Sequence, residues 1–155
     1  MVSQIYLLLH NIRSTYNVGS IFRTADAARV SKIYISGYTP TPIDRFGRER
    51  RDISKVSLGA EKCIDWEYNN DPKEIIKKLK KENFQIIALE QNEKSVDYRK
   101  IKLSGNNLII LGNEVGGVEE KVLKLCDQIA EIPMYGKKES LNVSVATGIL
   151  LYSIK

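Results

Sequence analysis

Two short apolar runs near the carboxyl end constrain this chain more than any other feature. Leu108–Leu111 gives way to G-N-E-V-G-G, and Ile129–Ile132 gives way to P-M-Y-G-K-K-E-S-L-N. Runs this short, bounded by glycine or proline, have the length of buried strands rather than of helices. Gly112, Gly116 and Gly117 surround Glu114, and Ser140, Asn142 and Ser144 open a longer apolar segment, Val143–Ile154. The order reads strand, glycine loop, helix, strand, loop, helix. Small residues in such loops let a ligand approach main-chain N–H and C=O groups. In an open α/β sheet the ligand sits beyond the carboxyl ends of the strands, where both loops fall.

The preceding residues keep the same alternation. Gln4–Leu9 is apolar and β-prone, and predicts a buried first strand. Asn11, Ser14 and Asn17 are turn and cap residues, and Val18, Ile21, Phe22, Ala25 and Ala28 recur at helical spacing, predicting a helix from about Asn17 to Arg29. Lys32–Ser36 and Cys63–Tyr68 read as the second and third strands. Asp71 caps a helix over 71–81, with Pro72 in its first turn and Ile75, Ile76 and Leu79 as its apolar stripe. Phe84–Leu89 is a fourth strand, followed by the polar connection E-Q-N-E-K-S-V-D-Y. Strands five and six are the two runs above, with a helix over Glu119–Leu125 between them. Strands alternating with helices predict an α/β fold with a mainly parallel sheet flanked by helices. A length of 155 residues suits one domain, 1–155, with a full core.

Charge is distributed unevenly. Residues 1–60 hold nine Lys or Arg against four acids, which is the whole of the net +5, and seven of the eight arginines. Arginine suits bidentate phosphate contacts, so this half points to a polyanion partner. An ordinary basic surface fits the charge equally. The stretch Gly37–Ser57 lacks clear periodicity and reads as a long loop, with Arg45, Arg48, Arg50 and Arg51 clustered around Phe46. Arginines interleaved with an aromatic suit a phosphate backbone and an unstacked base. A solvated charged loop is the plain alternative.

Several functions are disfavoured. The G-x-x-x-x-G-K-[ST] spacing of a phosphate-binding loop is missing, and no G-x-G-x-x-G follows the first strand. His10 is the single histidine, so a multi-histidine metal site is excluded and no metal is expected. A serine hydrolase would have to use His10, without a G-x-S-x-G elbow. Cys63 and Cys126 stand alone and read as core thiols of a cytosolic protein. No apolar run reaches membrane-spanning length, and M-V-S-Q carries no basic export signal.

Three blocks remain: N-V-G-S-I-F-R-T-A-D-A at 17–27, I-I-L-G-N-E-V-G-G-V at 109–118 and I-P-M-Y-G-K-K-E-S-L-N-V-S-V-A at 132–146. Occurring in this order, they resemble the three signature motifs of the SpoU-type RNA 2′-O-ribose methyltransferases of the SPOUT superfamily, over nearly the whole chain. The resemblance implies a C-terminal trefoil knot, which periodicity could not reveal because knots are exceptions to the connection rules. It implies S-adenosylmethionine as cofactor, RNA (tRNA before rRNA) as substrate, a homodimer with the active site near its interface, and a cytoplasmic location. Beginning at its first strand and ending with its last helix, the chain is expected to be a minimal catalytic domain.

By the same resemblance Arg23 is the catalytic arginine, with Asn17 orienting it and the ribose, within one protomer or across the dimer interface. Glu114 fixes Arg23 or the loop, and Ser140 and Asn142 line the reaction centre. Main-chain groups of Leu89, Gly112, Ile132, Met134 and Leu141 hold the cofactor. RNA recognition is left to the dimer surface, including Arg45, Arg48, Arg50 and Arg51, or to a partner protein. Spacing alone reads Asn17 as a helix cap, Arg23 as a solvated side chain, and Ser140 and Asn142 as caps of the last helix. A guanidinium hardly ever gives up its proton, so Arg23 suits gripping a phosphate and stabilising a developing alkoxide better than acting as base. Two rival functions stand: a relative methylating a base nitrogen, and a non-catalytic RNA-binding subunit.

Overall fold

Strands covered on both faces need apolar side chains at successive positions, and the central strands have them. The computed structural model describes residues 2–155. Its strands are β1 (Ile5–His10), β2 (Lys32–Ser36), β3 (Asp65–Tyr68), β4 (Gln85–Leu89), β5 (Val96–Asp97), β6 (Asn107–Leu111) and β7 (Gln128–Glu131). They form one sheet in the order β3-β2-β1-β6-β4-β7-β5, with every pair parallel. Alternate residues serve opposite faces. Leu7, Leu9, Ile109 and Leu111 join one buried cluster, whereas Leu8, Leu108 and Ile110 join the other.

The first face is covered by α1 (Thr15–Ala27) and α6 (Val143–Ser153), through Val18, Ile21, Phe22, Leu150 and Leu151. The second is covered by α4 (Pro72–Lys81) and α5 (Glu120–Leu123), through Ile75, Ile76, Leu79, Val122 and Leu123. Asp71 caps α4 as expected, accepting from Lys73 N at 2.9 Å, with Pro72 in the first turn. The mainly parallel α/β reading therefore holds.

Four details differ from the sequence reading. Helix α1 begins two residues early, capped by Ser14, whose hydroxyl accepts from Asn17 N at 3.1 Å. Asn17 is thus inside the first turn, not at the cap. The expected loop over Gly37–Ser57 contains a helix, α2 (Arg51–Ser57), and a further turn, α3 (Ala60–Cys63), replaces the start of the third strand. α2 is short, and Ile53 is its one buried apolar residue, so it has no stripe to read. Its signal lies in another element: a Cβ on Gly19 of α1 would stand 2.7 Å from the Ile53 carbonyl oxygen, so glycine permits the close crossing. Finally, β5 adds a seventh strand at the edge, too short to show alternation.

The cysteines also depart from expectation. Cys63 is exposed, because it falls on α3 rather than on a buried strand. Cys126 is half-buried, and burial pushes its thiol up to about 12, which leaves it inert at neutral pH.

Candidate active site

The chain visits β1, β2 and β3 outward from the centre, then returns to build β4 on the other side, and β6 later fills the gap between β1 and β4. The carboxyl ends of β4, β6 and β7 therefore lie side by side. A cavity of about 560 Å³ opens there, within the ~300–1,000 Å³ typical of small-molecule sites. Leu89 and Glu90 line it from the end of β4, Gly112–Val118 from the end of β6, and Glu131, Ile132 and Met134 from the end of β7. Ser140, Leu141 and Asn142 complete it before α6.

The glycine loop is a closed turn built by its own backbone. Asn113 N donates to Gly117 O at 3.0 Å and Gly117 N returns to Asn113 O at 2.9 Å. The Asn113 side-chain oxygen accepts from Val115 N and Gly116 N, while its amide donates to Asn11 O and Tyr38 Oη. A side chain at 112 would not fit: its Cβ would stand 2.5 Å from the Gly117 carbonyl. Gly117 holds φ +68°, and its Cβ would collide with Glu90.

One hydrogen-bonded chain ties the three blocks together. Glu114 Oε1 accepts from Asn17 Nδ2 at 3.0 Å and Ser14 N at 3.1 Å, and Oε2 accepts from Arg13 N at 3.1 Å. Asn142 Nδ2 donates to Asn17 Oδ1 at 3.1 Å, and Asn142 Oδ1 caps α6 by accepting from Ser144 N at 2.8 Å. Burial works against the charge on Glu114, but the donated hydrogen bonds from Asn17, Arg13 and Ser14 outweigh it and hold the carboxyl below its ordinary value. Glu114 thus anchors the entry to α1 and does not bond Arg23, and Asn17 bonds Glu114 and Asn142 rather than Arg23.

Arg23 stands outside this cavity. It lines a second recess beside α2, with Thr15, Tyr16, Asp52, Lys55, Val56 and Leu58. Tyr16 and Leu58 are largely exposed there. The four loop arginines are outside the cavity as well. Arg45 and Arg48 flank the exposed Phe46 ring, 4.8 and 5.0 Å from its centroid, and Arg48 Nε donates to Asp44 at 3.1 Å. Arg50 is half-buried with an unpartnered Nε, and Arg51 starts α2. The chain therefore brings Asn17, Glu114, Ser140 and Asn142 together with the five main-chain candidates, and keeps all the candidate arginines out of the cavity.

His10 sits in a Ser–His–acid chain of its own. Its Nδ1 is 2.8 Å from Ser36 Oγ and its Nε2 is 2.6 Å from Glu119 Oε1. Ser36 has no exposed surface, so its hydroxyl reaches no substrate. The chain pins the ends of β1 and β2 to the start of α5. Among the described residues, no group of three or more His, Cys, Asp or Glu gathers as a metal site, and no helix is long and apolar enough to cross a membrane.

The sequence reading missed Glu90. Its Oε2 accepts from Val118 N at 2.7 Å and its Oε1 from Gln91 N at 2.7 Å, so it braces the glycine loop from β4. The available signal was its place directly after a buried strand, in a segment read as a polar connection.

The chain is 32% identical over 142 residues to a tRNA (guanosine(18)-2′-O)-methyltransferase of Aquifex aeolicus, and 30% identical over 144 residues to the Escherichia coli K12 protein of that name. These alignments take in 92% and 93% of this chain but 64% and 59% of the relatives, so the chain spans about three fifths of their length. Among solved structures, the AdoMet-bound rRNA methyltransferase from Sinorhizobium meliloti superposes with a TM-score of 0.88 at 30% identity, covering 97% of this chain and 55% of the other. The A. aeolicus TrmH/SpoU tRNA modifying enzyme gives 0.84 at 30% identity, covering 98% and 74%. The family model described as the SpoU rRNA methylase family matches residues 4–152, and the chain belongs to that family.

Proposed function

We propose that this chain is the catalytic part of an RNA 2′-O-ribose methyltransferase that uses S-adenosylmethionine. The observation that carries this reading is the cavity beyond β4, β6 and β7. All five main-chain candidates line it, and Glu114 and Asn142 at its wall are joined through Asn17. Its volume and its glycine-lined walls suit an adenosine held by main-chain groups. Bound there, S-adenosylmethionine would supply a methyl group already attached to a good leaving group, a sulfonium.

The chain's own residues then serve placement and electrostatics. Glu114, with both oxygens occupied by donors and its carboxyl held low, is a poor proton acceptor and a good anchor. A guanidinium offers donors and no acceptor, so Arg23 suits charge stabilisation. Its recess, shared with Lys55 and the exposed Tyr16 ring, suits a phosphate and a stacked base. The relatives named for guanosine(18) of tRNA make tRNA the first substrate to test, ahead of rRNA.

Arg23 lines a recess other than the cavity of its own chain, and a homodimer in which a second copy brings its Arg23 to the cavity accounts for a role in transfer. We further propose the C-terminal trefoil knot of the resemblance and a cytoplasmic location. Calorimetry with S-adenosylmethionine and nucleoside analysis of RNA methylated by the protein test the whole reading. An alkali-resistant ribose-methylated dinucleotide is the expected product. A methylated base would establish the base-methylating rival, and absence of cofactor binding the RNA-binding subunit.

A further inference from the structure

We propose that the cofactor cavity selects for the charge of its ligand: it favours the cationic methyl donor over the neutral thioether left after transfer. This rests on the reading that the cavity takes S-adenosylmethionine. Four carboxylates line it, Glu90, Glu114, Glu120 and Glu131, and no Lys, Arg or His does. Glu90, Glu114 and Glu131 are half-buried, and Glu120 is at the rim. Among the described residues none of the four has a cationic partner within 4.0 Å. The protein as a whole carries +5. A basic chain has therefore gathered unneutralised negative charge around one concave site.

The chemistry of the two ligands gives that charge a consequence. When the methyl group leaves, the carbon–sulfur bond breaks with its electron pair remaining on sulfur. The ligand's net charge falls from +1 to zero, while its adenosine, ammonium and carboxylate are unchanged. Contacts to those shared parts cannot tell donor from product. A field from four carboxylates can, because it acts on the one charge that differs. The same field opposes entry of RNA phosphates, in keeping with the separation of the arginines from the cavity.

Among the described residues the side chains of Glu131 and Glu120 have no hydrogen-bond or ion-pair partner, so they isolate the electrostatic effect from the fold. Calorimetry should compare S-adenosylmethionine and S-adenosylhomocysteine on wild type, Glu131→Gln, Glu120→Gln and Glu131→Asp, at low and high salt. Wild type is expected to bind the sulfonium more tightly. Each Gln variant is expected to weaken it on the order of threefold to tenfold, leave the thioether unchanged, and so narrow the gap. Glu131→Asp should retain most of the preference, and salt should narrow the gap in wild type. Equal losses for both ligands, or an unchanged sulfonium affinity, would overturn charge selection while leaving the cofactor reading intact. Failure of wild type to bind either ligand would overturn both.

Discussion

Asn142 donates its side-chain N–H to Asn17 Oδ1 at 3.1 Å across a separation of 125 positions. Asn17 spends its own N–H on Glu114, 97 positions away. Asn17, 5% exposed, therefore joins Glu114 in the loop after β6 to Asn142 before α6, both of which line the cavity. An amide suits this role because it offers a donor to the carboxylate and an acceptor to Asn142 at once.

Replacing Asn17 by Ala leaves Glu114 Oε1 with one donor and Asn142 with an unused N–H. Loss of about 1–2 kcal/mol in stability is expected, read from urea unfolding. Asn17→Asp is expected to be worse, since it sets a second carboxylate against Glu114. A variant as stable as wild type would mean that the network only decorates the fold.

Glu114 also sets a pH dependence. Its carboxyl is held below its ordinary value of 4.5 in the folded chain. The folded state thus binds protons less readily than the unfolded state there. Its stabilisation is present above pH 4.5 and is lost as pH falls through the depressed value. Urea midpoints measured downward through this window should drop less steeply in Glu114→Gln than in wild type. Equal slopes would assign the acid sensitivity to other groups.

Arg23→Ala is expected to abolish methyl transfer while leaving calorimetric affinity for S-adenosylmethionine within about twofold, because Arg23 shares no wall with the cavity. A variant that keeps most of its turnover would remove Arg23 from the reaction. One that loses cofactor affinity would show that the two recesses are coupled.

The loop arginines are not equivalent. Arg48 is paired with Asp44, and hydrogen bonds from the Arg48 backbone and then the Phe46 backbone help hold that carboxylate low. Arg45 and Arg51 have no such partner among the described residues. Neutralising Arg45 or Arg51 should therefore reduce the salt slope of RNA binding by up to about one per residue, and neutralising Arg48 by less. An unchanged slope in the quadruple variant with Arg50 included would make the loop a bystander.

Much of this was legible in sequence, for particular reasons. Leu7, Leu8 and Leu9 serve three alternating positions of a doubly covered strand, so the run itself announces a parallel sheet. Asn17, Glu114 and Asn142 lie in motif blocks, and their convergence is what a ligand loop at adjacent strand ends requires. Helix α2 escaped because its packing signal is Gly19, visible only once two helices cross. Glu90 escaped because bracing a loop needs only a carboxylate at the right place, and no local pattern records that. The separation of Arg23 from the cavity of its own chain was open only through the resemblance, because spacing along one helix does not say which recess a side chain enters.

The three glycines of the loop after β6 make the sharpest stability test. A Cβ at Gly116 would meet nothing closer than the Asn113 side-chain oxygen at 3.7 Å, an ordinary contact, and no positive φ is required there. Gly112 has a permissible backbone but no room, since the nearest atoms belong to the Gly117–Val118 backbone, which cannot swing aside. Gly117 lacks both, with φ +68° and the Glu90 carboxylate in the way. Glu90 would have to release Val118 N to make space. Gly116→Ala should therefore melt near wild type and bind S-adenosylmethionine normally. Gly112→Ala should lose about 1–3 kcal/mol from overpacking, and Gly117→Ala should add to a comparable loss about 1–2 kcal/mol for the left-handed backbone. Both should weaken cofactor binding, because the distorted backbone is itself the cavity wall. If Gly116→Ala proved as damaging as Gly117→Ala, small size alone, rather than backbone shape, would govern the loop.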